Sequence, residues 1–454
     1  MFQVKNKKVK GKNILWILLA LFTIHYSLFT AQAQVPKPAL ENQTKLVKEF
    51  NVNGLKVLVK QRASSPTVAA GLFLRGGVNN INAENAGIED FMLDTMTIGS
   101  KNFPREMMRK EFAKTGSSIG AGTNYDYSVL SFASTKENFQ KSWDIFTDVV
   151  MNPSFLPSDL ELTREKHLTF LREDNDTPDS FLDNLETKII YANHPYANAP
   201  NGTLETISKL KAEDLKAYYQ KTFQTSQLLL VVVGDINADD LQKQLANSFG
   251  KLPRGNYQAK PVLPISFSQP TLDITEKPLE TDYVKGIFAA PNLSDADYYA
   301  MRVAISILQQ NVYQTVRGRF QLSYAPSAEM GNLSANTGNI YVTSTQPTKA
   351  VELMLAEIEG LKKESVAKED LDEMVGFFLT TYFIKQETNA AQAADLALYE
   401  LIGGGWQNSA SFLDGIKKVT SADIQRVSKK YMNNLRFVVI GNAKDINRNT
   451  FLQK

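Results

Sequence analysis

The chain has no cysteine and only three histidines in 454 residues. These are the residue types that dominate protein zinc sites, so a self-sufficient zinc enzyme is nearly excluded. The same absence removes disulfides and the cysteine that lipoprotein acylation requires, and stability must rest on ordinary cores. The formal charge of +2 includes a basic N-terminal stretch, which leaves the remainder close to neutral. That balance gives no case for nucleic-acid binding or polybasic membrane attachment. No apolar run of spanning length follows residue 30.

What is present begins with Lys5 to Lys12 as a basic region, Ile14 to Thr30 as an apolar core that contains His25, and the small-residue site Ala31-Gln32-Ala33. This pattern predicts a signal peptide over residues 1–33 and a mature chain from Gln34. The 17-residue run is borderline for a span, so a retained membrane anchor is the rival reading. The A-x-A site favours cleavage. The expectation is an exported protein, most simply periplasmic, with no membrane span after cleavage. The roughly 420 residues that follow can fill two or more cores, since domains usually hold about 100 to 200 residues.

Ala212 to Asp235 and Ala422 to Asn442 both read as a capped helix of apolar period 3.6, a short turn, and a β-branched run closing on Gly or Gly-Asn. The repeat implies duplication, with halves at 46–253 and 271–452. A chance resemblance of helix-strand units is the alternative. Residues 254–270, rich in Pro, Gly and polar side chains, suit a linker. Gly54 to Gln61 and Thr67 to Arg75 alternate as paired strands. Helices are expected from Ala86, at Arg105 to Thr115 and at Lys136 to Met151, with a strand through Tyr127 to Ala133. Strands followed by helix pairs predict an α+β fold of two homologous domains, each a β-sheet covered by helices on one face.

Ala86 to Lys101 reads AGIEDFMLDTMTIGSK. An H-x-x-E-H motif puts two imidazoles one helical turn apart with a carboxylate beside them as general base. Counted from Gly87, the imidazole positions fall on Asp90 and Asp94 and the base position on Leu93. Gly87, Phe91, Gly99 and Ser100 keep the surrounding frame. Further landmarks are Asn124-Tyr-Asp126-Tyr-Ser128, the helix from Glu165 to about Asn175, His194-Pro-Tyr196 followed by Gly202-Thr203, and Arg317 with Tyr324 in RGRFQLSY. Together and in this order they resemble the insulinase and pitrilysin family of inverted zinc metallopeptidases, across essentially the whole mature chain.

The resemblance implies a degenerate member. The family's third zinc ligand, counted from Glu165, falls on Arg172, or on Glu173 with a one-residue shift. Leu93 cannot take a proton from water, and an aspartate cannot reproduce imidazole geometry. Gln321 stands where the family has Gly, which bears on the turn around Tyr324. In the family the Arg and Tyr project toward the zinc, where they bind substrate and stabilise the tetrahedral oxyanion. Retention of Arg317 and Tyr324 without the ligands implies a noncatalytic subunit of a heterodimeric, processing-peptidase-like enzyme. This chain would bind no metal. A homologous partner subunit would carry the zinc, and an extended peptide would be the substrate. Asn124 and Asp126, in a segment like the family's substrate-side strand, are candidate substrate contacts.

Other readings stay open. A peptide-binding or scaffold protein of the envelope could reuse the fold. Asp90 and Asp94 with Glu89 could hold a hard cation or lie on a solvated helix face, and an independent hydrolase using the two aspartates is the weakest reading. His194, in a turn-like segment, and His167, in a charged helix, read as structural. Trp143 to Phe146 and Phe377 to Phe383 read as core-facing.

Overall fold

The computed structural model describes residues 43–174 and 176–453. The expected signal segment, residues 1–33, lies outside the described residues. Among the described residues no helix is long and apolar enough to cross a membrane.

The N-terminal half opens on β1 (Val47–Val52) and β2 (Leu55–Gln61), an antiparallel hairpin closed by Asn53-Gly54. Both turn residues have positive φ, the conformation that two-residue hairpin loops favour and that Asn-Gly accepts at little cost. There follow β3 (Thr67–Arg75), α1 (Ile88–Met96), α2 (Arg105–Thr115), β4 (Ser118–Thr123), β5 (Tyr127–Thr135), α3 (Phe139–Met151), α4 (Pro157–Glu173), α5 (Pro178–Ile190), α6 (Leu204–Lys209), α7 (Ala212–Thr222), β6 (Leu228–Gly234) and α8 (Ala238–Ala246). The sheet order is β1-β2-β6-β3-β5-β4. β6 therefore separates β2 from β3, which sequence alternation had suggested as a pair. Its LLLVVVG run, buried throughout, wins the central place because only there are both faces covered.

Residues 254–270 contain no helix or strand. The second half runs β7 (Thr271–Glu276), β8 (Asp282–Ala289), α9 (Tyr298–Val312), a π-helical extension (Tyr313–Arg319), β9 (Ser327–Met330), β10 (Thr337–Ser344), α10 (Pro347–Lys363), α11 (Lys368–Lys385), α12 (Asn389–Ile402), α13 (Asn408–Lys417), α14 (Ser421–Tyr431), β11 (Arg436–Gly441) and α15 (Arg448–Phe451). Its order β7-β11-β8-β10-β9 matches β2-β6-β3-β5-β4, including the one parallel pair.

Each sheet carries helices of its own half on one face, and its second face is closed by a helix of the other half. Val57, Val59, Leu72 and Leu74 face a core built with helices of their own half. Leu58, Phe73, Leu229, Val231 and Val233 point the other way and are covered by Ala393, Leu396 and Ala397 of α12, with Trp406. In return α5 lies across β8 and β11, where Phe181, Leu185 and Ile189 pack near Ile287 and Val438. The two halves thus exchange equivalent helices. Burial of each large apolar side chain in such a seam is worth about 1.5 to 3 kcal/mol. Charged groups rim the seam. Trp406 Nε1 donates to Glu49 Oε2 at 2.8 Å, and Lys56 pairs with Glu400 at 2.8 Å.

Candidate functional site

Gly87 caps α1 at φ 83°, and a Cβ there would lie 2.5 Å from the Gly202 Cα. The two glycines of separate motifs meet, and the backbone contact leaves no room for side chains. α1 then places Phe91, Met92, Leu93 and Met96 in the core. Leu93, at the base position, is 1% exposed and faces inward.

Asp90 and Asp94 lie on the opposite stripe, against α4. His167 of α4 reaches between them. Its Nε2 is 2.9 Å from Asp94 Oδ2, and its Nδ1 is 3.8 Å from Asp90 Oδ2. Lys166 Nζ adds a 3.1 Å bond to Asp94. Burial would raise the Asp94 carboxyl, but hydrogen bonds from His167 and Lys166 outweigh it and hold the group below the usual carboxylate range. Burial pushes Asp90 up, with His167 opposing and the Asp94 charge reinforcing. The imidazole approaches its two neighbours through opposite nitrogens, so the three groups share no focal point. Among the described residues no cluster of three or more His, Cys, Asp or Glu is placed to hold a metal ion.

Arg172 and Glu173, the expected third-ligand positions, are both exposed at the end of α4. The α4 residue that meets the aspartates is His167, five positions earlier. A five-residue step rotates a helix by about 140°, so one side chain cannot replace the other. His167 is 7% exposed, with its ring edge-on to Phe91 at 5.4 Å. Its imidazole joins α4 to α1 through the hydrogen bond to Asp94.

Glu89, read from the sequence only as a companion of Asp90 and Asp94, faces away from them into the core. It is 1% exposed and accepts hydrogen bonds from Ser128 Oγ, from Tyr218 OH at 2.6 Å and from Asn80 Nδ2 at 3.0 Å. Burial outweighs these three donors and lifts its pKa to about 7. The signal was available, because Glu89 shares the helical stripe of Met92 and Met96.

Asn124 and Asp126 form a turn between β4 and β5 rather than a strand. Asn124 Oδ1 accepts from the backbone N–H groups of Asp126 and Tyr127 at 2.8 and 3.0 Å. Asp126 accepts from Tyr196 OH and, at 3.0 Å, from the Ser334 N–H of the other half. The Ala335 N–H donates to Tyr196 OH at 3.3 Å. Within the chain, Asn124 holds its own turn and Asp126 clasps the halves. His194 serves the same joint, with Nδ1 accepting from the Tyr196 N–H at 3.1 Å and Nε2 3.1 Å from the Leu263 carbonyl.

Arg317 and Tyr324 form a separate cluster. The π-helical turn is held by Phe320 N–H to Thr315 O at 3.0 Å, and Gln321 then takes φ 53°. The left-handed turn for which glycine is the usual choice is therefore kept with a glutamine. Leu322 N–H returns to Val316 O at 2.9 Å. Arg317 Nη1 donates to the Tyr324 carbonyl at 2.8 Å, and its guanidinium lies 4.1 Å from the Tyr324 ring and 5.0 Å from the Tyr313 ring. Tyr324 is 79% exposed. Of the aromatic stretches, Trp143 and Phe146 are buried, but Phe377 and Phe383 are 53% and 40% exposed, against the core-facing expectation.

Comparison with known proteins agrees with this geometry. Residues 56–203 match the family model described as insulinase (peptidase family M16), and residues 209–376 match the peptidase M16 inactive domain. The chain is 22% identical over 411 residues to the non-peptidase homolog YmxG of Helicobacter pylori, which spans 87% of this chain and 94% of that one. It is 22% identical over 354 residues to the mitochondrial-processing peptidase subunit beta of Blastocladiella emersonii, over 77% of this chain and 73% of that one. Subunit 1 of the mitochondrial cytochrome b-c1 complex of Bos taurus is 23% identical over 62% of this chain and 57% of its own length. Among solved structures, a peptidase M16 inactive domain from Pseudomonas fluorescens has a TM-score of 0.77 at 19% identity, over 87% of this chain and 98% of that one. The periplasmic protease PqqL of Escherichia coli gives 0.74 at 17% identity, over 90% of this chain and half of its own. The chain belongs to the insulinase family, peptidase family M16, as a degenerate member.

Proposed function

We propose that this chain is the exported, noncatalytic half of a two-chain zinc peptidase and lends Arg317 and Tyr324 to the active site of a homologous zinc-bearing partner. The observation that carries this reading is the free, pre-arranged Arg317–Tyr324 pair. The guanidinium is fixed by one carbonyl and two rings and has no acidic partner among the described residues, while the Tyr324 hydroxyl has no hydrogen-bond partner among them. A donor pair held ready and left uncompensated suits an external oxyanion. The zinc would sit in the partner and supply a nucleophilic water there. On this chain, Arg317 would hold a substrate carbonyl or carboxylate in the ground state, and Tyr324 would donate its hydroxyl as negative charge develops. Relatives named as subunits, and a periplasmic structural neighbour, support assembly and export.

The test is reconstitution. A zinc-bearing relative from the same cell, inactive or weak alone, should gain peptidase activity when this chain is added. Failure of the two to co-elute, with no gain in hydrolysis, would overturn the proposal.

A second reading, a peptide-binding or scaffold protein of the envelope, has its own observation. Asn124 N–H pairs with Tyr127 O, so Ile119, Ala121 and Thr123 turn their backbone groups away from β5. No strand among the described residues covers that edge, and an extended peptide could add to it without being cut.

A further inference from the structure

The second half repeats the helix pair that carries Asp90, Asp94 and His167: α9 occupies the place of α1, and α11 that of α4. In the first half His167 and Asp94 draw the pair together. In the second half α11 lies looser. Of its 18 residues only Met374 and Phe378 are buried, although it also carries Phe377, Tyr382, Phe383 and Ile384. Among α9, α11 and α12 lies a cavity of about 1150 Å³, large enough to enclose a drug-sized molecule.

Its wall is built of rings. Tyr382 lies nearly parallel to Phe412, with 11° between the planes and centroids 6.3 Å apart, while Phe378 meets Phe412 edge-on at 6.0 Å and Phe377 meets Phe378 at 5.5 Å. Ring faces are the negative part of an aromatic quadrupole and attract cations. The ionisable lining has the same sign in excess. Glu329, Glu373 and Asp395, none of them ion-paired among the described residues, outnumber Arg302 and Lys385. Arg302 is already engaged, with Nη1 donating to the Met330 carbonyl at 3.1 Å and Nε enclosed. Lys385 is exposed at the end of α11.

Asp395, on α12, is the focus of the cavity. Ser409 Oγ and Gln386 Nε2, the latter at 3.2 Å, both donate to Oδ2, which leaves Oδ1 without a donor among the described residues. Burial pushes this carboxyl above the usual carboxylate range, against the pull of those two bonds and of the Lys60 and Lys385 charges. A carboxylate oxygen withdrawn from water and given no donor is an unused acceptor.

We propose that this cavity binds a small protonated amine carried on an apolar body, with the ammonium donating to Asp395 Oδ1 and the body lying among Met374, Phe377 and Leu398. An ammonium supplies both the donor and the charge that the carboxylate lacks, and the ring faces stabilise the same charge once water is excluded. The alternatives fit less well. An anion would meet three acids, and a neutral apolar molecule would leave Oδ1 as unpartnered as before. The site does not depend on Arg317, Tyr324 or a zinc-bearing partner.

The probe is 4-phenylbutylamine, titrated by calorimetry into the purified protein beside the neutral 4-phenylbutanol and the anionic 5-phenylpentanoate. All three carry the same phenylbutyl body, so only the head group differs. The amine is expected to bind at least about tenfold more tightly than the alcohol, and the carboxylate most weakly. Asp395→Asn keeps the shape of the side chain and removes its charge, and it should bring the amine down to the affinity of the alcohol. Phe377→Ala removes an exposed ring of the wall and should weaken amine and alcohol alike, by at least about threefold. If Asp395→Asn does not fold, the head-group ranking and Phe377→Ala decide. Equal affinity for amine and alcohol would overturn the proposal, because the cavity would then have no preference for charge. Tightest binding of the carboxylate would overturn it in favour of an anion site at Arg302 and Lys385. So would amine binding undiminished in both variants, or no saturable amine binding up to about 10 mM.

Discussion

Glu89 offers the sharpest test of the physical reasoning. Its carboxyl is fully buried, yet three donors point at it, so two effects of opposite sign compete at one residue. If burial wins, the pKa stands at about 7 against 4.5 for an unperturbed glutamate. The folded state then holds the proton more tightly than the unfolded state, and the sign follows. The stabilisation is fully present below pH 4.5 and is lost as pH rises through 7. At about 1.4 kcal/mol per pH unit, the loss between pH 5 and 9 amounts to roughly 2 to 3 kcal/mol. Glu89→Gln keeps the shape and cannot ionise. Urea unfolding of both proteins at pH 5, 6, 7, 8 and 9 should show the wild type losing that amount relative to the variant, with the steepest change between about pH 5 and 6.5 and a plateau above about pH 8. Parallel stability profiles would refute the reasoning, because they would mean that Ser128, Tyr218 and Asn80 hold the carboxylate ionised throughout.

In the reconstituted pair, Tyr324→Phe should lower kcat about a hundredfold with little change in KM, whereas Arg317→Ala should also raise KM; steady-state kinetics decides. His167→Ala should destabilise the fold by on the order of 1 to 2 kcal/mol by stripping Asp94 of a charge-assisted bond, and Asp94→Asn in that background should cost little more. Additive losses in this double-mutant cycle would refute the coupling. Asp126→Ala leaves the Tyr196 O–H without its acceptor and the Ser334 N–H unpaired in a buried joint, so a loss of about 2 to 4 kcal/mol is expected, with faster tryptic cleavage at Arg254 and Lys260. An unchanged cleavage rate would show that the clasp does not hold the halves.

The two-fold repeat was legible because a capped helix leading into a β-branched run leaves the same trace twice. Gly87 and Gly202 stand out in the sequence for a physical reason, since their backbones touch and leave no room for a side chain. Strand neighbours were not legible. Alternation reports which face a residue occupies and says nothing about which strand lies beside it, so β6 could not be seen between β2 and β3. The role of Asp126 escaped for a similar reason. Its partners Tyr196 and Ser334 are 70 and 208 positions away, and a motif read along the chain cannot show a bond across it. Counting from Glu165 reaches Arg172, whereas the α4 side chain bonded to the α1 aspartates is His167, because a count along the helix does not report which side chain faces α1. The test that succeeds is spatial, namely which α4 side chain can reach the α1 aspartates. The exposed ring of Phe377 on α11 breaks the expectation that aromatic helices are core helices, because it lines an open cavity.

The exchanged helices α5 and α12 make each half a lid for the other. Separated from 271–452, the segment 46–253 would present Leu58, Phe73, Leu229, Val231 and Val233 to water as one continuous apolar sheet face. Such a face favours precipitation or pairing with any similar edge over independent folding. Cutting the linker is a different operation. A chain nicked between 254 and 270 keeps both lids in place and should migrate as one particle until denaturant is added. The covalent connection therefore sets the local concentration of the halves during folding and becomes dispensable once they have closed on each other.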